Sequence, residues 1–351
     1  MTKPIEITEA SAPEAPPALP SRRRLPYELW IGASLLLAMI LLALLPTPMD
    51  PSRIDDPTAT RLLPPGTRLE GVAKPGGGLA FGTQVERQGD RWEITTPRGK
   101  VRQIPIAKTG NGEAPDAEIV VRHHWLGTDK FGRDLLSRLM QGARISLAVS
   151  ALAVLLAALL GVSLGALAAL SGRWVDAIIM RGVDSLMSLP SLFVVIALAT
   201  IFRPSTILLI GLLGGASWMP VCRIARGEIL SLKERDFITA SRGLGLSPLR
   251  VTLRHLLPNA LTPLVVEATL LFGNLMLTEA ALSYIGFGVQ PPTASWGNML
   301  REGQDTIALA WWPTVLPGVL ITMAVLSVNL LGDALRDYLD PRSSAGPRRT
   351  T

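Results

Sequence analysis

The stretch Ser231–Pro263 reads SLKERDFITASRGLGLSPLRVTLRHLLPNALTP, a polar and basic island set between long apolar runs. Its composition is that of an ordered unit. A helix is expected over Lys233–Leu244, ended by Gly245, the residue best able to adopt the left-handed conformation that terminates helices. Ser247 then offers an N-cap, and Pro248 stands at the first helical position, where its missing N–H costs nothing. A second helix follows, with Leu249, Leu253, Leu256 and Leu257 at helical spacing on one face and Arg250 and Arg254 on another. Pro258 is expected to close the unit. The stretch is a compact helix–turn–helix block outside any bilayer, offering a partner an apolar ridge and a basic flank.

Outward from this block the chain turns greasy. Of 351 residues, 48% are hydrophobic and 18% charged. About 20 consecutive apolar residues cross the hydrocarbon of a bilayer as a helix, and several runs qualify. The fold class is therefore an all-α integral membrane protein with six transmembrane helices and a cytoplasmic two-helix block. The net charge of +6 comes from basic residues flanking the apolar runs, so it reflects topology rather than nucleic-acid binding. The single Cys222 excludes an intrachain disulfide and a cysteine metal cluster. Trp30–Leu45 is too long for the apolar core of a secretory signal and lacks a small-residue cleavage site.

Residues 1–25, rich in Pro, Ala and Glu, are expected to be disordered, and Arg22-Arg23-Arg24 places them in the cytoplasm. The spans expected are Tyr27–Leu45, Ile145–Leu170, Leu186–Phe202, Ile207–Met219, Leu261–Ile285 and Trp311–Leu331. Both termini, the short turn Ser171–Asp176 and the block then lie inside, and the tail 343–351 is cytoplasmic. Residues 47–140 lie outside, since loops longer than about 60 residues translocate largely regardless of charge. Gln84–Arg87, Trp92–Thr95 and Val101–Ile106 read as a small antiparallel sheet, although an irregular insertion satisfies the same composition. Leu135, Leu136, Leu139 and Met140 share one apolar face, as in a helix lying on the membrane surface.

Polar residues inside the spans are the next candidates. Glu267, Asn274 and Glu279 interrupt the fifth span and Asn329 the sixth; such groups face protein or a water-filled path. Asn274, Glu279 and Asn329 could line a path, or anchor one helix to another. Asp184 is expected to pair with Arg181, close by in sequence. Trp296, Trp311 and Trp312 suit headgroup anchors. Gly127 and Gly132 have phosphate-loop spacing, but Arg133-Asp134 replaces the required Lys-Ser/Thr, which argues against ATP binding. His123-His124 point apart with no third ligand near, so no metal is expected. No nucleophile–base pair or paired carboxylates stand outside the membrane, so neither catalysis nor a bound cofactor is expected of this chain.

The block resembles the EAA loop of ATP-binding-cassette importer permeases. Thr239-Ala240-Ser241 stand at its Glu-Ala-Ala positions, Gly245 at its glycine, and His255-Leu256-Leu257-Pro258 at its end. Thr replaces the leading Glu, Ser the second Ala and His the Ile, while the spacing is intact. Three further stretches carry the resemblance: Leu126–Asp129 with Gly132–Asp134, Leu277–Leu300, and Asn329–Asp337 leading to Leu339–Arg342. Together they are similar to the dipeptide/oligopeptide/nickel permease family, in particular its second, C-type subunit. The resemblance covers about Trp125–Arg342 and the first span; the insertion 68–121 has no counterpart.

That resemblance implies a permease core over 141–342 and an importer moving peptides, nickel or related small solutes across the cytoplasmic membrane. It implies a homologous permease partner, two cytoplasmic ATPases and an extracytoplasmic substrate-binding protein. Residues 232–258 would be the ATPase-coupling element, with Thr239, Ala240, Ser241, Gly245, Leu249, Arg250, Leu253, Arg254, Leu257 and Pro258 as its residues. The alternative is a secondary transporter or channel working without ATPases, for which Glu267 and Glu279 could supply ion sites.

Overall fold

The computed structural model describes residues 27–54, 56–74, 78–106, 119–243 and 245–339, without the side chains at 239, 242, 248, 249 and 339. The segments 1–25 and 343–351, expected as a disordered N-terminus and a tail, lie outside the described residues, as do the side chains of Thr239 and Leu249.

Helix α1 (Tyr27–Leu44) is apolar apart from Glu28 in its first turn and Ser34, and ends just ahead of Pro46. After the single turn α2 (Pro57–Thr60) come six strands: β1 (Thr67–Ala73), β2 (Leu79–Gly82), β3 (Gln84–Gln88), β4 (Arg91–Thr95), β5 (Val101–Pro105) and β6 (Val120–His124). They form two antiparallel three-stranded sheets, ordered β2-β1-β6 and β3-β4-β5. The alternation Val85 in, Glu86 out, and Trp92 in, Glu93 half-buried, Ile94 in, buries one face of the second sheet with Val72, Ala80 and Ile106. Leu69 and Phe81 complete a second small core with Ala59 and Leu63, which ties the first sheet to α2. The insertion is thus a packed unit, not an irregular loop.

Helix α3 (Leu135–Leu170) is the axis of the membrane part and packs on α1 and on the helices α4 (Arg173–Met187), α6 (Thr206–Gly215), α7 (Trp218–Lys233) and α10 (Leu257–Ile285). Its 36 residues rise about 54 Å, well beyond about 30 Å of hydrocarbon. The surface helix expected at Leu135–Met140 is therefore the first turns of α3. Leu135 and Leu139 are buried against neighbouring helices rather than spread on lipid. Lower down, Gly161 and Gly165 let α7 approach so closely that added Cβ atoms would sit 2.7 Å from the Trp218 carbonyl and 2.5 Å from that of Cys222. Small residues four apart are the usual means of close helix packing in lipid.

Two expected spans are broken. The expected turn Ser171–Asp176 shrinks to Ser171 and Gly172, because α4 begins at Arg173. The expected span Leu186–Phe202 is split between α4 and α5 (Ser191–Ile201), which meet at 82°. Pro190 at the break lacks an N–H and restricts the residue before it. Helices α6 and α7 bend by 42°. Among the described residues, four helices are long and apolar enough to cross a bilayer, and six spans result when each bent pair is taken as one.

Helix α8 (Asp236–Gly243) and the short α9 (Pro248–Val251) follow α7. Thr252–Leu256 is a π-turn that runs directly into α10. Pro258 therefore does not close the block: it is the second residue of α10, preceded by a wider turn that already displaces the hydrogen-bond ladder. Helix α11 (Trp296–Gly303) starts with a reciprocal cap between Ser295 and Asn298, and α12 (Trp312–Leu339) ends the described chain.

Two of the three tryptophans expected as headgroup anchors are core residues. Trp296 is fully buried and donates from Nε1 to the Leu139 carbonyl at 3.0 Å. Trp312 is buried and donates to the Thr128 carbonyl at 3.1 Å. Each indole N–H thus finds a backbone acceptor, in α3 itself for Trp296 and in the segment leading to α3 for Trp312. Trp311 is exposed.

Candidate functional site

The block between α7 and α10 has a buried side and an open side. On the buried side Ile238, Val251 and Leu256 pack with Ala169 of α3, Val221, Ala225 and Ile229 of α7, and Ala260 and Leu264 of α10. Lys233 reaches the Ala169 carbonyl at 3.4 Å, placing a cation at the C-terminal end of α3. Gly245 has φ +77°, and the chain turns there into Ser247, whose hydroxyl accepts from Arg250 N at 3.4 Å. Glycine and N-cap thus act as their residue types dictate.

The open side carries Phe237, Ala240, Arg250, Leu253 and Arg254, with Leu253 58% exposed and Phe237 44%. This corrects the expected ridge. Leu253 points outward beside the arginines, whereas Leu256, three residues on, is 1% exposed. The π-turn adds a residue to the local turn and so separates side chains that regular spacing would stack. Ser241 is half-buried and its hydroxyl donates to the Phe237 carbonyl at 2.7 Å; Leu257 is half-buried and Pro258 exposed. Phe237 was not singled out in the sequence, although a lone aromatic in a polar helix is the signal that points to it.

The intramembrane candidates are not brought together. Asn274 is exposed on α10, while Asn329 on α12 is half-buried with its Oδ1 next to Gly273. Glu279 is fully buried and accepts from Ser283 Oγ at 2.7 Å, close to Ser146 of α3 and to Ser295 at the start of α11. Glu267 is half-buried. Asp184 pairs with Arg223 of α7 at 2.5 Å rather than with Arg181, and Asp176 takes both arms of Arg226 at 2.5 and 2.6 Å. These two pairs tie α4 to α7.

At the other end of α3 the segment of Gly127 and Gly132 makes a charged lock instead of a phosphate loop. Asp129 accepts from the backbone N–H groups of Phe131 and Arg133 and from Arg133 Nε. Arg133 and Arg138 converge on Glu302 Oε2 at 2.5 and 2.8 Å. His124 meets Asp134, the N-cap of α3, at 2.9 Å, so it is a partner of that cap. No group of side chains able to hold a metal occurs among the described residues. At the foot of the insertion, burial opposes ionisation of Asp56. The Thr58 hydroxyl, Lys74 and Arg102 outweigh it and hold the carboxyl below its usual range.

Residues 161–345 match the family of binding-protein-dependent transport system inner membrane components. A protein of Brucella suis biovar 1, named by inference as a peptide permease, is 46% identical over 225 residues, covering 63% of this chain and 74% of that one. The di/tripeptide transport system permease protein DppC of Pseudomonas aeruginosa is 43% identical over 217 residues, covering 62% and 72%. Among solved structures, a chain of the inward facing MetNI methionine ABC transporter aligns with TM-score 0.48 at 18% identity, covering 58% of this chain and 96% of that chain.

Proposed function

The chain belongs to the family of binding-protein-dependent transport system inner membrane components, and from that premise we propose that it is one permease subunit of an ATP-driven importer for short peptides. The peptide assignment follows the names of its relatives. The subunit pairs with a homologous permease, two cytoplasmic ATPases and an extracytoplasmic binding protein. Both termini and the α8–α9 block are cytoplasmic, and the insertion is outside.

One observation carries the coupling role. The block is bolted to three core helices by Ile238, Val251 and Leu256, yet leaves Phe237, Arg250, Leu253 and Arg254 exposed on its open side. A rigid unit transmits displacement that a loose loop would absorb. Closure of the ATPase dimer on nucleotide would move the block, and α3, α7 and α10 with it, so that the permease pair rocks between inward and outward openings.

Co-expression with candidate ATPase and binding-protein partners and reconstitution into vesicles tests the reading. Uptake of labelled di- and tripeptides should require ATP and the binding protein. A chain that purifies without ATPases, or uptake that continues without ATP, contradicts it.

A further inference from the structure

Where the insertion meets the membrane part, the structure forms an open cleft of about 630 Å³. Five cations line it: Arg61 after α2, Arg98, Lys100 and Arg102 around the β4–β5 turn, and Lys130 beside Phe131. Three segments distant in sequence thus contribute positive charge to one hollow. Two of the five have carboxylate partners. Arg102 meets Asp56 at 3.3 Å, sharing it with Lys74, and Lys130 meets the exposed Asp305 at 3.3 Å. Arg61, Arg98 and Lys100 have no carboxylate partner among the described residues. Arg98 is held in place by donating to the Arg61 carbonyl at 3.2 Å.

Gathered like charges repel one another and work against the compact state. Here they are not dispersed: the Thr96–Lys100 turn is fixed by bonds between Thr96 and Lys100, and Arg102 is anchored to the foot by Asp56 and Thr58. The hollow is too open to enclose a small ion, and it has the exposed ring of Phe131 at its lip. Ordered cations beside an exposed aromatic ring suit the electrostatic steering of a partner protein of opposite charge.

We propose that this cleft docks an acidic surface of the system's substrate-binding protein, so that the insertion serves as an additional receptor for that protein. The inference rests on the importer reading, since it requires the insertion to be outside. The family's description names a binding protein on which transport depends, and a binding protein that delivers substrate from outside would approach from this side. Position adds a consequence. Lys130 and Phe131 lie inside the Asp129–Arg133 loop, which is locked to Glu302 of α11 and leads into α3. A partner seated in the cleft therefore touches both the insertion and the approach to the axial helix.

The test uses the complete complex in zwitterionic vesicles and its own binding protein, with affinity measured at about 50 and about 300 mM salt, where screening differs strongly. Wild type should bind tightly at low salt and weaken as salt rises. Arg61→Glu combined with Lys100→Glu should weaken low-salt binding by about tenfold and flatten the salt dependence. ATP hydrolysis measured without the binding protein should be unchanged, which shows that the variant is folded and assembled. Equal affinity and equal salt dependence in variant and wild type overturn the proposal. So does a difference that appears only when anionic lipid is included, since the cleft would then hold headgroups. A wild-type complex that assembles with ATPases but binds no binding protein overturns the importer reading and the docking proposal together.

Discussion

Gly245 separates backbone geometry from packing. A Cβ built there meets no atom within 4 Å, so only its φ of +77° resists substitution. A β-branched residue is strained at positive φ by more than about 1 kcal/mol, whereas Asn visits this region readily. Gly245→Val should insert in the membrane and lose most uptake, while Gly245→Asn keeps it; equal uptake by both would show that the turn angle does not matter. Glu279 poses the opposite problem, a fully buried carboxyl on Ser283. Glu279→Gln preserves shape and hydrogen bonding and should melt close to wild type in detergent. Glu279→Ala strands buried polar partners and should lose about 1–3 kcal/mol, read as a lower Tm; an unchanged Tm would show that this contact contributes nothing.

Among the elements, the insertion is built to be separable. Strands β1 and β6 pair antiparallel, with Thr67 opposite His124 and Leu69 opposite Arg122, so the ends of a deletion of Arg68–Val121 already lie side by side. Joined by two glycines, the shortened chain should assemble with its permease and ATPase partners, as judged by co-purification; loss of assembly would place the insertion in the core or in the permease interface. The sequence made β3–β5 legible, because Val85, Trp92 and Ile94 alternate with polar residues and Gly89 and Gly99 mark the turns. It hid β1 and β6, whose pairing spans some 50 residues and leaves no hairpin signature. The π-turn at Thr252–Leu256 was equally hidden, since no residue type in it signals a wider turn, and it lies where Leu253 and Leu256 part from the expected ridge. The turn at Gly245 and the N-cap at Ser247 were legible because they depend on residue type alone.

For the whole molecule, topology and coupling are the two claims to test. Cys222 is completely buried, so cysteines introduced on the surface report accessibility with little background. Gly89→Cys should react with an impermeant maleimide from outside, and Glu234→Cys only from inside; the reverse pattern would invert the chain. The coupling claim rests on Leu253, which is 58% exposed and contributes little to the core. Leu253→Asp should therefore leave this subunit folded while placing an unpaired charge where an ATPase would cover it. The deciding measurement is peptide uptake together with binding-protein-stimulated ATP hydrolysis, in reconstituted vesicles, for wild type and Leu253→Asp. Coupling through the block predicts that the variant inserts normally but loses uptake and the stimulated part of hydrolysis. Wild-type rates of both in an assembled Leu253→Asp complex, or uptake that persists with the ATPases removed, would contradict it.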